Sequence, residues 1–378
     1  MYVFGPLIND GIKKFVTYQI GGSSMSSEVT RRYSDFFALR EKLLERWPGV
    51  YIPNIPPKKV VGNTDLKTIE KRVRMLNAFC YKLSTLSYLF SSDEVNVFQT
   101  ANGEISKIIL ALPKMTPEDI RNKYQQSFTD YYDGYDITLG LNRLSDFGNY
   151  LKLYQTNLNN FKESVIKYLE KKTVETLRYL ELIHNFEEHE RCTLIEYVEN
   201  KDENKLVFAN PRNSELNERV RNLRESLINP YNSLLDWIEE EEIDIEAMLE
   251  AMNSLKGLES IKNKLRQKLD TLNNQLEGFR SSGKKTFTMI FKKPDEVANE
   301  MEKEKISTEA NIQSYEDIIK MASFNMEWYI ERFKKEKSYE YFRHLKIFAK
   351  TQKTNTAVLD NLWKNVKNNM AEHTETNE

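Results

Sequence analysis

Two arginines lead directly into a tyrosine at Arg31-Arg32-Tyr33, at the head of the stretch RRYSDFFALREKLLERWPGV. A guanidinium grips phosphate through a planar fork of donors, and a phenol ring offers a flat face to a sugar-like ring. Further on, the proline-rich run IPNIPPKK ends in Lys58 and Lys59. Lysine binds phosphate as a mobile point charge. Arg72 follows inside a helical pattern. Arg32, Tyr33, Lys58 and Arg72 together suit one multiply phosphorylated, ring-shaped ligand. Taken singly, each is an ordinary solvated side chain.

Other chemistry is scarce. HNFEEHE brings His184 and Glu188 to one helix face, but zinc proteases need His-Glu-x-x-His, so surface charge on a long helix is the better reading. There is no glycine-rich phosphate loop, Cys-x-x-Cys pair or Gly-x-Ser-x-Gly elbow. The chain has four histidines, and only Cys80 and Cys192 carry thiols. No catalytic residue, metal ligand or cofactor is expected, so the chain does not read as an enzyme. Two distant cysteines suit a reducing compartment. The opening MYVFGPLINDG lacks a basic start and an apolar run, so no secretory leader is expected. A cytoplasmic protein without nucleic-acid partners is the expectation.

Charge is uneven along the chain. Residues 1–115 carry 16 Lys+Arg against 10 Asp+Glu, whereas the remainder carries 39 against 47. A basic first third suits an anionic ligand there.

The elements that must position these residues divide at the breakers. Seven of the ten prolines lie at or before Pro117, and ten of the thirteen glycines at or before Gly148. The remaining 230 residues with six breakers read as a few very long helices. KKFVTYQIGG and SSEVTRRY read as strands. Phe36, Phe37, Leu39, Leu43 and Leu44 then recur at helical spacing, and so do Ile69, Val73, Leu76, Phe79 and Cys80. A small α+β domain with a three-stranded antiparallel sheet is predicted over residues 1–112. Residues 113–140 are predicted to be a linker with an amphipathic helix. Thr116 is its cap, Pro117 its first residue, and Ile120, Tyr124, Phe128 and Tyr131 its apolar stripe.

Long helices are predicted at about Leu141–Glu199, Ser214–Phe279 and Pro294–Asn369, the last two roughly 100 Å long at 1.5 Å per residue. Such rods are stable in water only when packed side by side. Pro230 either kinks or breaks the second one. An all-α region of three long, kinked antiparallel helices over 141–370, with a disordered tail at 371–378, is the expectation. WIEEEEIDIE, Trp237 to Glu246, reads as a solvated acidic face. KKTFTMIFKK sets Lys284, Lys285, Lys292 and Lys293 around apolar residues. It reads equally as a lipid-wedging tip or as a tip packed back on the helices.

RRYSDF, IPNIPPKK and EKRVRMLNAF together resemble the PX (phox-homology) domain, a phosphoinositide-binding module. The family's loop pattern is matched without departure by Ile52, Pro53, Asn54, Ile55, Pro56, Pro57 and Lys58. The resemblance implies phosphatidylinositol 3-phosphate as ligand. Arg32 would clamp the 3-phosphate, Tyr33 pack on the inositol ring, Lys58 reach the 1-phosphate and Arg72 the 4- and 5-hydroxyls. Val60 and Val61 would lie where the family's loop dips into the bilayer. IERFKKEKSYEYFRHLKIFAKTQKTNTAVLDNLWKNV resembles the last helix of BAR domains, and the order of elements resembles the PX-BAR sorting nexins. That implies a peripheral protein on the cytosolic face of endosomes. It would sense or generate curvature as a homodimer or heterodimer, act in sorting and tubulation, and place Tyr124 and Phe128 in one leaflet. The alternative is a coiled-coil-like protein–protein scaffold whose N-terminal domain binds a protein or is masked.

Overall fold

Alternation in FVTYQIG buries Val16, Tyr18 and Ile20 on one face, as a half-covered antiparallel strand requires. In the computed structural model, which describes residues 1–9, 14–22, 27–58, 65–128, 134–282 and 294–374, this strand is the middle one of three. β1 (Tyr2–Asn9), β2 (Phe15–Gly21) and β3 (Val29–Arg32) pair antiparallel in that order. Thr17 sits opposite Arg32 at the end of β3. The chain then turns directly into α1 (Tyr33–Arg46), and α2 (Leu66–Thr85) follows with Asp65 accepting from the Thr68 amide. Three short helices complete this layer: α3 (Ser87–Phe90), α4 (Asp93–Thr100) and α5 (Ile105–Leu110). The Phe36 ring sits at their centre, edge-on to Tyr18, Phe79 and Phe98 at 6.4, 6.2 and 5.1 Å. The predicted small domain is thus a sheet covered by helices.

α6 (Pro117–Ser127) starts where its cap residues place it. Thr116 and Asp119 form a capping box, the Asp119 amide donating to Thr116 Oγ1 at 3.2 Å and the Thr116 amide to Asp119 Oδ2 at 2.9 Å. Tyr124 and Phe128 of its apolar stripe pack against the small domain. Tyr124 is fully buried. Its ring stacks on Trp47 at 5.5 Å, and its hydroxyl donates to the Pro48 carbonyl at 2.6 Å. Phe128 is half-buried and meets Trp47, Tyr88 and Tyr124 edge-on. The expectation of Tyr124 and Phe128 as membrane contacts is therefore corrected: a nearer apolar partner exists in Trp47 and Tyr88. Lys123 closes the box, 4.2 Å from the Trp47 ring centre and 2.9 Å from Glu94 Oε1.

The long helices are α7 (Ile137–Cys192), α9 (Tyr231–Ser282) and α10 (Pro294–Thr374), with α8 (Ser214–Ser226) preceding α9. α10 continues through residues 371–374, expected to belong to a disordered tail; residues 375–378 lie outside the described set. Pro230 breaks the second rod rather than kinking it, since α8 ends at Ser226 and α9 begins at Tyr231. The freed backbone finds other partners. Asn355 accepts from the Ile228 amide at 3.2 Å and donates to the Ile228 carbonyl at 2.7 Å.

The chain forms two compact units, Met1–Tyr154 with Glu242–Lys334, and Gln155–Glu241 with Lys335–Glu378. In the first, the small domain packs on sections of the long helices. Tyr51 stacks on Tyr329 at 4.2 Å, and Gly49 donates its amide to Ser254 Oγ at 3.0 Å. Arg332 donates to the Thr85 hydroxyl at 2.7 Å. Asp244 receives the Lys82 ammonium and the Tyr51 hydroxyl, and Glu250 receives Arg40.

In the second unit, Ile183, Phe208, Leu216, Leu223, Leu362 and Val366 form the core. The buried Glu190 carboxylate accepts from the amides of Val207, Phe208 and Ala209 at 3.0, 2.7 and 2.9 Å, which fixes the loop before α8. Buried Glu241 pairs with Lys337 at 2.8 Å. The acidic run is therefore not a uniformly solvated face: Glu241 and Asp244 are buried and paired, the condition under which burying a carboxylate is tolerable.

Two predictions follow from this packing. Gly49 has φ +85°, and an added Cβ would lie 3.1 Å from Leu258 Cδ1 and 3.3 Å from Leu255 Cδ1. Gly49→Ala should cost about 1–2 kcal/mol from the left-handed backbone alone, read as a lower midpoint in chemical denaturation. Glu94 is buried between Arg46 at 3.0 Å and Lys123 at 2.9 Å. Burial would raise its carboxyl, but the Lys123 and Arg46 cations more than offset this and hold it below the usual range. A depressed carboxylate stabilises above its unfolded value and loses that contribution as pH falls through the folded one. The stability gap between wild type and Glu94→Gln should be full at neutral pH and shrink below about pH 4. A pH series of denaturation curves checks this.

Candidate functional site

Strand β3 alternates at Arg31 and Arg32, so one points in and the other out. Arg31 is buried, donating through Nε to the Phe98 carbonyl and through a terminal nitrogen to the Ala101 carbonyl, both at 2.8 Å. It ties the sheet to the end of α4. Arg32 caps α1 with its guanidinium 45% exposed, and its Nε lies 3.8 Å from Asp35 Oδ1. Buried Asp35 accepts from the Arg32 amide at 2.9 Å and from the Ser106 amide at 3.2 Å. The backbone that presents Arg32 is thus fixed, while its guanidinium fork stays open to solvent.

Tyr33 is the hub. The Arg72 guanidinium, on the buried face of α2, lies over the Tyr33 ring at 4.7 Å. A guanidinium stacks well on an aromatic face. Burial pushes the Tyr33 phenol up, with the Arg72 and Arg40 cations partly offsetting it, so the hydroxyl keeps its proton. It donates that proton to the Pro56 carbonyl at 2.6 Å.

Pro53, Pro56 and Pro57 carry no amide hydrogen, so this loop cannot hold itself by a backbone ladder. Side chains hold it instead. Arg40 Nε donates to the Pro53 carbonyl at 3.1 Å, Tyr88 to the Tyr51 carbonyl at 2.8 Å, and Tyr33 to Pro56. Two residues beyond Pro56, Lys58 is exposed, its ammonium 6.0 Å from the Phe37 ring centre.

The fold thus brings Tyr33 and Arg72 into contact and ties the loop that carries Lys58 to Tyr33. Arg32 stands next to Tyr33 at the start of α1, a helix end that favours anions. Val60, Val61, Lys284, Lys285, Lys292 and Lys293 lie outside the described residues. Phe37, which helical spacing counts among inward residues, exposes its ring beside Lys58. The role of Arg40 in the loop was also not visible in the sequence; its partners Pro53 and Glu250 lie on segments that no local period connects. Among the described residues no group of His, Cys, Asp or Glu could hold a metal ion, and no helix is long and apolar enough to cross a membrane.

Residues 20–102 match the family model for the PX domain. Over 115 residues the chain is 33% identical to human sorting nexin-8, which covers 30% of this chain and 21% of that protein. Over 90 residues it is 39% identical to sorting nexin MVP1 of Candida albicans, covering 23% of this chain and 12% of that protein. The matched stretches therefore span well under two thirds of these relatives. The cryo-EM structure of the SNX-BAR Mvp1 tetramer superposes with a TM-score of 0.56 at 15% identity, covering 97% of this chain and 99% of that one. That likeness is one of fold.

The Tyr33 hydroxyl is the loop's link to α1. Tyr33→Phe should cost about 1 kcal/mol of stability in denaturant unfolding, with the ring and the Arg72 stack retained.

Proposed function

We propose that this chain, which carries a PX domain at residues 20–102 within the fold of an SNX-BAR sorting nexin, binds phosphatidylinositol 3-phosphate on endosomal membranes and senses or generates their curvature as a dimer. The observation that carries the reading is the Tyr33 ring, stacked by Arg72 and tied to Pro56, with Arg32 and Lys58 exposed on either side in sequence. Arg32 takes the 3-phosphate through its fork. Tyr33 carries the inositol ring. Lys58 answers the 1-phosphate, and Arg72, already fixed on Tyr33, sits at the 4- and 5-hydroxyls.

The membrane role goes beyond the pocket. Val60 and Val61 follow Lys58 in sequence and would enter the bilayer, and Lys284, Lys285, Lys292 and Lys293 would rest on anionic lipid, each worth about 1 kcal/mol near such a surface. α7 exposes Tyr150, Leu153 and Tyr168, and α10 exposes Trp328, Tyr339 and Phe342. Apolar residues left open on long helices support pairing with a second copy or a related chain. Two linked pockets gain avidity by effective concentration. The function is binding rather than catalysis, and the setting is the cytosolic face of the endosome.

Arg32→Ala tests the reading. In sedimentation with vesicles carrying phosphatidylinositol 3-phosphate, the variant should lose at least about tenfold in affinity, since a charge-assisted bidentate contact is worth roughly 1.5–3 kcal/mol. Its oligomeric state should not change. Equal binding by variant and wild type would remove the pocket from the account. No wild-type binding to any vesicle would leave the protein–protein scaffold.

A further inference from the structure

The proline loop that carries Lys58 is held by α1, and α1 is held in turn by a residue 210 positions away on α9. Arg40 sits on the inner side of α1 and is buried. Its Nε donates to the Pro53 carbonyl at 3.1 Å, and a terminal nitrogen of the same guanidinium meets the Glu250 carboxylate on α9. One planar group therefore joins the loop to α9. A guanidinium is rigid, so fixing one end of its fork fixes the direction of the other.

The base of the same loop has a second tether. Tyr51 stacks on Tyr329 of α10, and its hydroxyl lies 3.4 Å from Asp244 of α9. Ile52, Pro53, Ile55 and Pro56 are buried, while Pro57 and Lys58 are exposed. The loop is thus fixed at its base and free at the end that bears the lysine. Its middle is fixed at Pro53, whose carbonyl accepts from Arg40 Nε.

We infer that Glu250 is a positioning residue for the phosphoinositide pocket: through Arg40 it sets the proline loop, and so the affinity for the headgroup, without touching the ligand. This rests on the pocket reading above. The long helices then do more than carry the small domain, because one of them preorganises its binding loop. Preorganisation raises affinity by reducing what the ligand must order.

The sign of the effect separates positioning from charge. Glu250 is an anion, and removing an anion from a protein that binds a phosphate should strengthen binding through the overall field. Releasing Arg40 from its anchor should weaken it. The loop's bond to Arg40 is a single hydrogen bond to a charged donor, and Glu250 is 43% exposed, so a loss of about three- to fivefold is expected.

The experiment uses the full chain and soluble dibutanoyl phosphatidylinositol 3-phosphate, titrated by calorimetry, so that membrane contacts do not contribute. Wild type, Arg32→Ala, Glu250→Ala, Glu250→Gln and Glu259→Ala are compared. Glu259 lies on α9 too, and its removal changes the net charge equally. Three- to fivefold weaker binding by Glu250→Ala, a smaller loss with Glu250→Gln, and unchanged or tighter binding by Glu259→Ala would support the inference, provided thermal melting shows each variant folded. Unchanged or tighter binding by Glu250→Ala overturns it while leaving the pocket intact. A wild type that does not bind the probe, or binds no better than Arg32→Ala, overturns the pocket reading and the inference with it.

Discussion

A loop with three prolines in five residues has few amides for a backbone ladder, and the proposed headgroup site depends on how that loop is held. Pro53, Pro56 and Pro57 offer carbonyls but no amide hydrogens, so beyond the Ile55 amide's bond to Asn54 Oδ1 those carbonyls need donors from other elements. Arg40, Tyr33 and Tyr88 supply these bonds from α1 and α3. The Tyr33 bond matters most. One side chain both orients the loop that carries Lys58 and presents the ring on which Arg72 lies. Its neighbour Arg32 is held at the backbone by Asp35 and left open at the guanidinium. Arg32, Tyr33 and Arg72 are thus set on helices or a strand end, with the Arg32 guanidinium and Lys58 exposed.

The same logic extends outward in the first unit. WPGVY, residues 47–51, lies within the small domain in sequence, and in the structure it is a packed junction with α6 and the long helices. Trp47 faces Tyr88, Tyr124 and Phe128, Pro48 accepts from Tyr124, Gly49 donates to Ser254, and Tyr51 stacks on Tyr329. Gly49 is needed twice over, for its positive φ and for the closeness of Leu258 and Leu255. Aromatic rings here bury large area with few rotamers to fix, which makes them efficient cement. α9 contributes through Asp244 of the acidic run and through Glu250 beyond it, whose partners Lys82, Tyr51 and Arg40 are all on the small domain.

Local pattern made much of this legible. Two-residue alternation located β2, cap chemistry located the start of α6 at Thr116, and the dearth of breakers after Gly148 located the long helices. Arg32, Tyr33, Lys58 and Arg72 stood out as residue types that suit one phosphorylated ring, and the resemblance of IPNIPPK to the PX loop gave them their proposed roles. What local pattern does not contain is the identity of a distant partner. The stripe of Tyr124 and Phe128 states that one face of α6 is apolar, and a membrane and Trp47 satisfy that equally. The glutamates after Trp237 look solvated until Lys82 and Lys337, far away in sequence, are folded onto their neighbourhood. Pro230 forbids one backbone bond, and the full break rests on Asn355 beside Ile228 and on Asn229, which accepts from the Tyr231 amide and donates to the Leu169 carbonyl. Phe37 breaks the inward pattern because its exposed position on α1 lies beside Lys58 rather than over the sheet.

The central claim is that the surface between Arg32, Tyr33, Lys58 and Arg72 is a headgroup site. An experimental structure of the chain with inositol 1,3-bisphosphate tests it most directly. The account predicts the ring against Tyr33, the 3-phosphate on the Arg32 fork, the 1-phosphate within reach of Lys58, and hydroxyls facing Arg72. A headgroup seated elsewhere, or an Arg32 still turned to Asp35 with the ligand bound, would contradict it.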